Sequence, residues 1–186
     1  MPINKGFITA NRTIAGDEAY TPFYAVEPLL EFIPKDKRVW CPFDKEWSAF
    51  YQLLKEKGYD VIRSSLVEGK DFFKYEPKSW DILVSNLPFS KKDEIIKRAF
   101  SFDKPFALLL PINSIQGKKR FDIFRNRIQM LSFDSRIDYH TYKNFQETAK
   151  GNYFGSAYFC RDLLPTKLEL RKLVKYDRPL IERKDK

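Results

Sequence analysis

A short apolar run near the middle of the chain ends directly in a turn, in the sequence Trp80-Asp81-Ile82-Leu83-Val84-Ser85-Asn86-Leu87-Pro88-Phe89. Its length and aliphatic content are typical of a strand that is buried on both faces of a sheet. Asn86 and Pro88 are residues that form turns, because Asn bonds to nearby backbone and Pro fixes its own φ. The stretch predicts a buried strand whose carboxyl end carries a defined turn.

Strand and helix patterns alternate on both sides of this stretch. Strands are predicted over 39–43, 60–64, 71–75, 80–85 and 106–112. Helices are predicted between them, over 47–54 with a stop at Gly58, over 91–102, and from 116 or 117 to 126. Three more strand candidates follow without helices, over 128–133, 136–142 and 152–160. This order predicts an α/β protein with a mostly parallel sheet and an antiparallel edge strand.

The two ends of the chain differ from its centre. We interpret residues 1–19 as an N-terminal arm and residues 165–186 as a basic C-terminal tail, within a single domain that spans 1–186. Thr21 and Pro22 have the residue types of a helix cap and a first helical position. Pro28 interrupts the apolar pattern that follows and predicts a kink or two short helical turns.

Charge and hydropathy indicate the class of partner. The formal net charge is +9 and the sequence pI is about 9.4, which favours a polyanion such as DNA or RNA. Lys118, Lys119 and Arg120 form the candidate nucleic-acid-binding patch. No apolar run reaches the length of a membrane span, so we expect a soluble, cytoplasmic protein.

Histidine and cysteine are scarce. His140 is the only histidine, which argues against a catalytic triad centred on histidine and against a site with several histidine ligands. Cys41 and Cys160 are too few for a disulfide framework, and we expect both to be buried free thiols. The sequence predicts no metal site.

The predicted sheet places several loops at one edge. In open α/β sheets, ligands bind outside the carboxyl ends of the strands, near the point where the strand order reverses. Residues 41–47, 64–72, 86–90 and 111–116 should converge there. Asn86 is therefore a candidate ligand-binding residue.

Six segments, taken in order, resemble a known family. They are Thr21-Pro22, Val39-Trp40-Cys41-Pro42-Phe43-Asp44, Gly69-Lys70-Asp71-Phe72-Phe73, Asp81 to Ser90, Phe106-Ala107-Leu108-Leu109-Leu110-Pro111, and Phe154-Gly155-Ser156-Ala157-Tyr158-Phe159. The chain is similar to class I methyltransferases that use S-adenosylmethionine, specifically to N6-adenine methyltransferases of the phage and EcoRI-type groups. The turn within the fourth segment, Asn86-Leu87-Pro88-Phe89, differs by one residue from the Asn-Pro-Pro-Phe/Tyr signature of these enzymes.

The resemblance implies a fold and a set of ligand contacts. The fold is a Rossmann-like, three-layer αβα methyltransferase fold with a mostly parallel, seven-stranded sheet and an antiparallel edge strand. Thr21 and Pro22 would flank the methionine end of S-adenosylmethionine. The implied contacts with the rest of this cofactor come from Cys41, Pro42, Phe43, Asp44, Ser64, Asp71 and Phe72.

The same resemblance assigns the target amine to Asn86, Leu87, Pro88 and Phe89. The lone pair of an exocyclic amine on adenine is delocalised into the ring, so a catalyst must localise it. The side-chain oxygen of Asn86 and the backbone carbonyl of Leu87 would accept the amino hydrogens. Pro88 would fix the turn, and Phe89 would stack on a base rotated out of a duplex.

The chain also departs from the family pattern. The loop 41–47 contains no glycine, whereas glycines usually let the backbone approach the cofactor there. Ser64 stands where a carboxylate usually binds the ribose, and Glu68 or Asp44 are alternatives for that role. The segment after Leu164 is too short for a recognition domain, so sequence specificity would need a loop or a separate partner.

Two other functions remain open from the sequence. The first is a catalytically degenerate methyltransferase-fold module that binds nucleic acid or a protein. The second is methylation of a glutamine amide in a protein, because the same amide-polarising chemistry would serve.

Overall fold

The computed structural model describes residues 19–141, 144–149, 152 and 154–181. The strands in this part of the chain are β1 (Ala19–Tyr20), β2 (Val39–Cys41), β3 (Val61–Arg63), β4 (Ile82–Asn86), β5 (Phe106–Pro111), β6 (Gln129–Phe133), β7 (His140–Thr141), β8 (Ser156–Arg161) and β9 (Leu168–Arg171). The α-helices are α1 (Phe23–Val26), α2 (Ala49–Glu56), α3 (Lys92–Ser101) and α4 (Lys118–Phe124). Four 3₁₀ helices lie at Glu27–Phe32, Leu66–Glu68, Phe89–Lys91 and Ile112–Ile115. The predicted N-terminal arm lies outside the described residues, apart from Ala19.

The main sheet has seven strands in the order β3-β2-β4-β5-β8-β6-β9, and β1 pairs with β7 in a separate two-stranded sheet. Strands β3, β2, β4 and β5 run parallel, and so do β6 and β9. β8 runs antiparallel to both of its neighbours, β5 and β6. The predicted α/β class and the mostly parallel, seven-stranded sheet are confirmed.

The antiparallel strand is not at the edge, and that part of the prediction is wrong. All six residues of β8 are buried, so the strand needs neighbours on both sides. The edge is β9, whose residues alternate between exposed and half-buried, as one-sided burial requires. β9 belongs to the segment interpreted as a basic tail.

Successive side chains of each strand point to opposite faces of the sheet and create two apolar cores. On the first face, Val39, Val84, Leu109 and Tyr158 pack with α1 and α2. On the second face, Trp40, Leu83, Leu108 and Phe159 pack with α3 and α4. Helices therefore cover both faces of the sheet.

Three local predictions are corrected. Residues 71–75 form a turn rather than a strand, because the Asp71 carboxylate accepts a hydrogen bond from the backbone N–H of Phe73 at 3.0 Å. Of the predicted strand over 136–142, only β7 forms within the described residues. Pro22, not Thr21, is the N-cap residue of α1, and no side-chain bond caps that helix. The expected pair of short turns around Pro28 is present, as α1 and the 3₁₀ helix Glu27–Phe32.

The segment after β9 crosses the first face of the sheet. Leu173 and Leu180 are buried there. The Tyr176 hydroxyl donates to Glu27 at 2.8 Å, and Arg178 pairs with Glu56 of α2. The backbone N–H of Leu180 donates to the Phe145 carbonyl at 2.8 Å. This segment is therefore packed against the core and ends near the carboxyl edge of β4.

Candidate active site

Asn86 is the last residue of β4 and lies between β2 and β5, beside Leu109 of β5. Its side-chain Nδ2 donates to the Ala19 carbonyl at 2.7 Å, which fixes the orientation of the amide. Its Oδ1 is buried and has no hydrogen-bond partner within the described part of the chain. A buried acceptor without a partner costs about 1–3 kcal/mol and is uncommon in native proteins. The side chain is therefore held with an unused acceptor.

A cavity of about 120 Å³ lies beside this amide. Residues 19–21, 43–45, 47–50 and 86–88 line it together with Leu180. The predicted site residues that the cavity brings together are Thr21, Phe43, Asp44, Asn86, Leu87 and Pro88. They come from three distant parts of the chain. β2 and β4 are neighbours in the sheet, and the bond from Asn86 to the Ala19 carbonyl brings in the segment that contains Thr21.

Thr21 contributes a second unused polar atom to the cavity. Its side chain is buried, and its Oγ1 has no partner among the described residues. A capping role would have used this hydroxyl, but Pro22 takes the N-cap position. Two unpaired polar atoms on one cavity wall indicate a place for a polar ligand.

Asp44 places a buried carboxyl group on the same cavity. The Ser85 hydroxyl donates to its Oδ2 at 2.6 Å. Burial raises the pKa of Asp44 from 3.8 to about 7, although hydrogen bonds from Ser85 and Ser48 and the charge of Arg63 act in the opposite direction. A carboxyl group that changes charge near neutral pH beside a cavity is typical of a functional site.

Four predicted cofactor contacts, Ser64, Cys41, Pro22 and Pro42, lie outside the lining of this cavity. Ser64 is fully buried and accepts a hydrogen bond from Trp40 Nε1 at 2.9 Å. Cys41 is also fully buried, and its burial raises the thiol pKa well above its usual value. Pro22 and Pro42 are buried and do not line the cavity. Their local sequence resembled a ligand loop, but their side chains face the interior.

Phe72 and Asp71 do not form an open pocket for adenine. Phe72 is buried in a cluster of aromatic rings, at 4.9 Å from the ring of Phe43 and 5.5 Å from that of Trp40. Asp71 caps its own turn. Of the two alternatives for a ribose carboxylate, Glu68 pairs with Arg63 outside the cavity, whereas Asp44 lies on it.

The remaining predicted residues lie outside the cavity. Phe89 begins a 3₁₀ helix, is half-buried and contacts the ring of Phe154 edge-on at 6.1 Å. Lys118 and Lys119 are exposed at the start of α4. Arg120 is buried, pairs with Asp93 and donates to the Ser114 carbonyl at 2.8 Å, so its assignment to the nucleic-acid patch is corrected.

Sequence reasoning missed part of the lining of the cavity. Trp47 was predicted both as the end of the converging loop 41–47 and as part of a helical stripe; it lies before α2 and contacts the rings of Tyr20 at 4.9 Å and Phe145 at 5.0 Å. Leu180 reaches the cavity from the C-terminal segment. The aromatic character of Trp47 was a local signal, but no local signal could have placed Leu180.

The cavity fits one end of S-adenosylmethionine. The amino-acid end of this cofactor carries an ammonium and a carboxylate, which match the Asp44 carboxyl group, the Lys45 ammonium and the Thr21 hydroxyl. The aromatic rings of Phe43 and Trp47 suit a sulfonium cation. The volume is below the about 300–1,000 Å³ of a typical small-molecule site. Room for the adenosine end would require Phe43 to separate from Phe72.

The described part of the chain contains neither a cluster of metal ligands nor a membrane-spanning helix. No cluster of three or more His, Cys, Asp or Glu side chains in this part of the chain could hold a metal ion. None of its helices combines the length and the apolar character needed to cross a bilayer.

No protein-family model matches the chain, and no curated protein matches it. A function must therefore come from the chemistry of the cavity and of the surface around it.

Proposed function

We propose that the protein transfers a methyl group from S-adenosylmethionine to the exocyclic N6 amino group of adenine in DNA or RNA. The observation that carries this proposal is the unused Oδ1 of Asn86, at the carboxyl end of β4 and beside a cavity. The Ala19 carbonyl holds Nδ2 of the same amide at 2.7 Å, so Oδ1 is the atom left for a ligand. An acceptor in this position can receive a hydrogen bond from an amino group.

The turn after β4 would complete the amine site. Asn86 Oδ1 accepts one amino hydrogen and the backbone carbonyl of Leu87 accepts the other, which localises the nitrogen lone pair for attack. Pro88, with φ of −60° and ψ of 122°, holds this turn in an extended geometry. Asn86 Oδ1 lies at a buried strand end, and the Ala19 carbonyl already fixes its amide, so this acceptor needs no rearrangement when the amine arrives.

S-adenosylmethionine, when bound, supplies an activated methyl group on a sulfonium. Thr21, Asp44 and Lys45 would hold its amino-acid end, and the rings of Phe43 and Trp47 would face the cation. The charged form of Asp44 attracts an ammonium, so binding should strengthen as the pH rises through about 7, where this carboxyl group ionises. The main contribution of the protein is to position the two reactants.

The architecture supports the proposal in a general way. The sheet has seven, mostly parallel strands, as the resemblance to N6-adenine methyltransferases implies, although its antiparallel strand β8 lies inside the sheet and not at the edge. Asn86 ends a central strand of that sheet, where ligands bind in open α/β folds.

A second candidate is a catalytically inactive module on the same fold that binds nucleic acid or a protein partner. The observation that favours it is the 4.9 Å contact between the rings of Phe43 and Phe72, which closes the space for an adenosine group. In that case the chain would bind its partner but would neither bind the methyl donor nor transfer its methyl group.

The experiment is transfer of a labelled methyl group from S-adenosylmethionine to pools of DNA and RNA. Wild-type protein should label adenine at N6, and Asn86→Ala should lose at least about 100-fold in turnover, the usual effect of removing one preorganised polar partner of the reacting group. Asn126→Gly is the matched control, since this exposed Asn has φ of 63° and glycine tolerates that conformation. Absence of labelling in both pools contradicts the proposal, and so does equal turnover in the Asn86→Ala protein.

A further inference from the structure

An exposed surface lies at the carboxyl edge of the main sheet, one strand beyond Asn86. β4 and β5 run parallel, with Asn86 opposite Leu109, and β5 continues through Pro111 into the 3₁₀ helix Ile112–Ile115 and then α4. The exposed side chains of these segments and of the helix after Asn86 include Lys91, Ile112, Ile115, Lys118 and Lys119, which we call the edge surface. Asn113, Phe121 and Asp122 are exposed beside it. It combines three ammonium groups with two aliphatic side chains.

The two isoleucines of the edge surface are unusually accessible for their type. Ile112 is 42% exposed and Ile115 is 41% exposed. The backbone N–H of Ile112 donates to the Gly155 carbonyl at 2.9 Å, which anchors this side chain to the start of β8. Isolated exposed apolar residues are ordinary, but two in one short helix between lysines indicate a partner that is both apolar and anionic.

Arg120 fixes the segments that carry the edge surface. Its guanidinium donates to the carbonyls of Ser114 and Gln116 and pairs with Asp93 of α3. Gly117 permits this arrangement, because a Cβ atom there would lie 2.5 Å from Arg120 Nη2. The buried arginine thus ties the 3₁₀ helix and α4 to α3, and the exposed lysines project from a fixed base.

We propose that the edge surface binds duplex nucleic acid, with Lys91, Lys118 and Lys119 on the phosphates and the two isoleucines against the bases beside the target. Nucleic acid presents phosphates and apolar base faces together, and the net charge of +9 favours it. This inference rests on the proposed function, because adenine must leave the duplex to reach Asn86. Rotation of a base costs a few kcal/mol, and an apolar side chain that fills the gap offsets part of that cost.

The chemistry of the surface favours a duplex over a single strand. Single-strand binders rely on flat aromatic rings that stack with successive bases. Aliphatic side chains lack such a face, but they can enter between base pairs and unstack them. Ile112 and Ile115 are aliphatic, and they lie at the sheet edge that carries the proposed amine site. The one exposed aromatic ring of α4 is that of Phe121, which lies 5.9 Å from the Arg125 guanidinium and comes after the lysines in that helix.

The first test measures binding of the full chain to a fluorescein-labelled DNA duplex, an RNA duplex and the matching single strands, without methyl donor. The variant Lys118→Glu/Lys119→Glu should weaken duplex binding at least about tenfold and reduce the slope of log K against log[salt] by about 2, because each lost phosphate contact removes about 0.9. The control Lys55→Glu/Lys57→Glu changes the net charge equally on exposed residues at the end of α2. It should change affinity much less.

Equal weakening by the two double variants would show binding by net charge alone and would overturn the proposal. Preference for single strands, or no binding to either duplex, would also overturn it. Because the donor is absent, these results are independent of methyl transfer. Loss of transfer with intact duplex binding would contradict only the proposed function.

The second test examines the isoleucines. A pool of duplexes carries 2-aminopurine in place of one adenine in random sequence, and its fluorescence should rise when wild-type protein unstacks the base. Ile112→Ala/Ile115→Ala should lose most of this rise while the salt slope stays unchanged. Leu168→Ala/Leu170→Ala, on the exposed face of β9, is the matched control and should keep the rise. An equal rise in all three proteins contradicts the role of the isoleucines.

Discussion

The carboxyl ends of β4 and β3 lie at the same edge of the sheet, but they are built in opposite ways. At the end of β4, Asn86 Oδ1 and the neighbouring Thr21 Oγ1 are buried without partners beside a cavity. At the end of β3, the Ser64 hydroxyl is bonded to Trp40, and Phe72 fills the space between Trp40 and Phe43. The β4 end therefore has buried polar atoms without hydrogen bonds, whereas the side chains at the β3 end are hydrogen-bonded or packed and stabilise the fold.

This difference divides the implied cofactor site into two halves. Unpaired buried polar atoms cost free energy, so their presence indicates a ligand that would satisfy them. Polar atoms that are already hydrogen-bonded and rings that are already packed cannot bind a ligand unless the structure rearranges. The β4 end is therefore the part of the site in which the proposed chemistry would occur.

The largest expected effect of a substitution is at the β3 end. Phe72→Ala should lower the free energy of unfolding by about 3–5 kcal/mol, because it removes a buried aromatic side chain that contacts several other rings. Urea denaturation followed by tryptophan fluorescence measures it. A loss below about 1 kcal/mol would mean that Phe72 is not part of the core, and the contrast between the two ends would fail.

The next effect concerns Asp44 and depends on pH. The folded protein keeps the proton on Asp44 up to a pKa of about 7, whereas the unfolded chain loses it near 3.8. The folded state therefore binds more protons between these values, so this group lowers stability as the pH rises from about 4 to about 7. Asp44→Asn should remove this decline and be more stable than wild type at pH 8, by up to about 4 kcal/mol.

Denaturation curves of both proteins at pH 4 and pH 8 check this prediction. The difference between Asp44→Asn and wild type should be small at pH 4 and should grow toward pH 8. A difference that is constant with pH would mean that Asp44 is charged in the folded protein throughout this range.

A smaller loss is expected for Ser64→Ala. The substitution leaves Trp40 Nε1 buried without its acceptor at 2.9 Å, which should cost about 1–3 kcal/mol. The same urea titration measures the loss. No change in stability would mean that the Ser64 hydroxyl makes no stabilising hydrogen bond, like the polar atoms at the β4 end.

The smallest loss is expected for Thr21→Val. This change keeps the shape of the side chain and removes a buried hydroxyl that has no partner within the described residues, so the free energy of unfolding should not fall below that of wild type. Affinity for S-adenosylmethionine should fall, because the hydroxyl is proposed to contact it. A loss of stability as large as that of Ser64→Ala would contradict the comparison.

The parts of the fold that were predictable depend on local patterns. β4 and its turn follow from an apolar run that ends in Asn86 and Pro88, and the parallel order follows from the alternation of elements. Residues 71–75 were predicted wrongly because aromatic residues favour strands on average, whereas here the Asp71 side chain stabilises a turn. The sequence pattern over β9 was too weak to distinguish this strand from a basic tail.

The candidate site was predictable to a similar degree. Asn86 and Asp44 come together because parallel neighbours align their carboxyl ends, and the sequence pattern indicated this. Thr21 was assigned to the site only by the family resemblance. The sequence pattern could not distinguish the exposed Lys118 and Lys119 from the buried Arg120. A run of positive charges does not reveal which residue pairs with Asp93. Nor could the sequence pattern place Leu180, which reaches the cavity only through long-range packing.

The most direct measurement is a calorimetric titration of the protein with S-adenosylmethionine and its demethylated product, at pH 6 and pH 8. We expect binding to one site, with higher affinity at pH 8 because Asp44 is then charged. Affinity should be much weaker in Asp44→Ala and close to wild type in Asn86→Ala. No heat of binding at either pH, with either ligand, would contradict the account and leave the β4 end without a methyl donor.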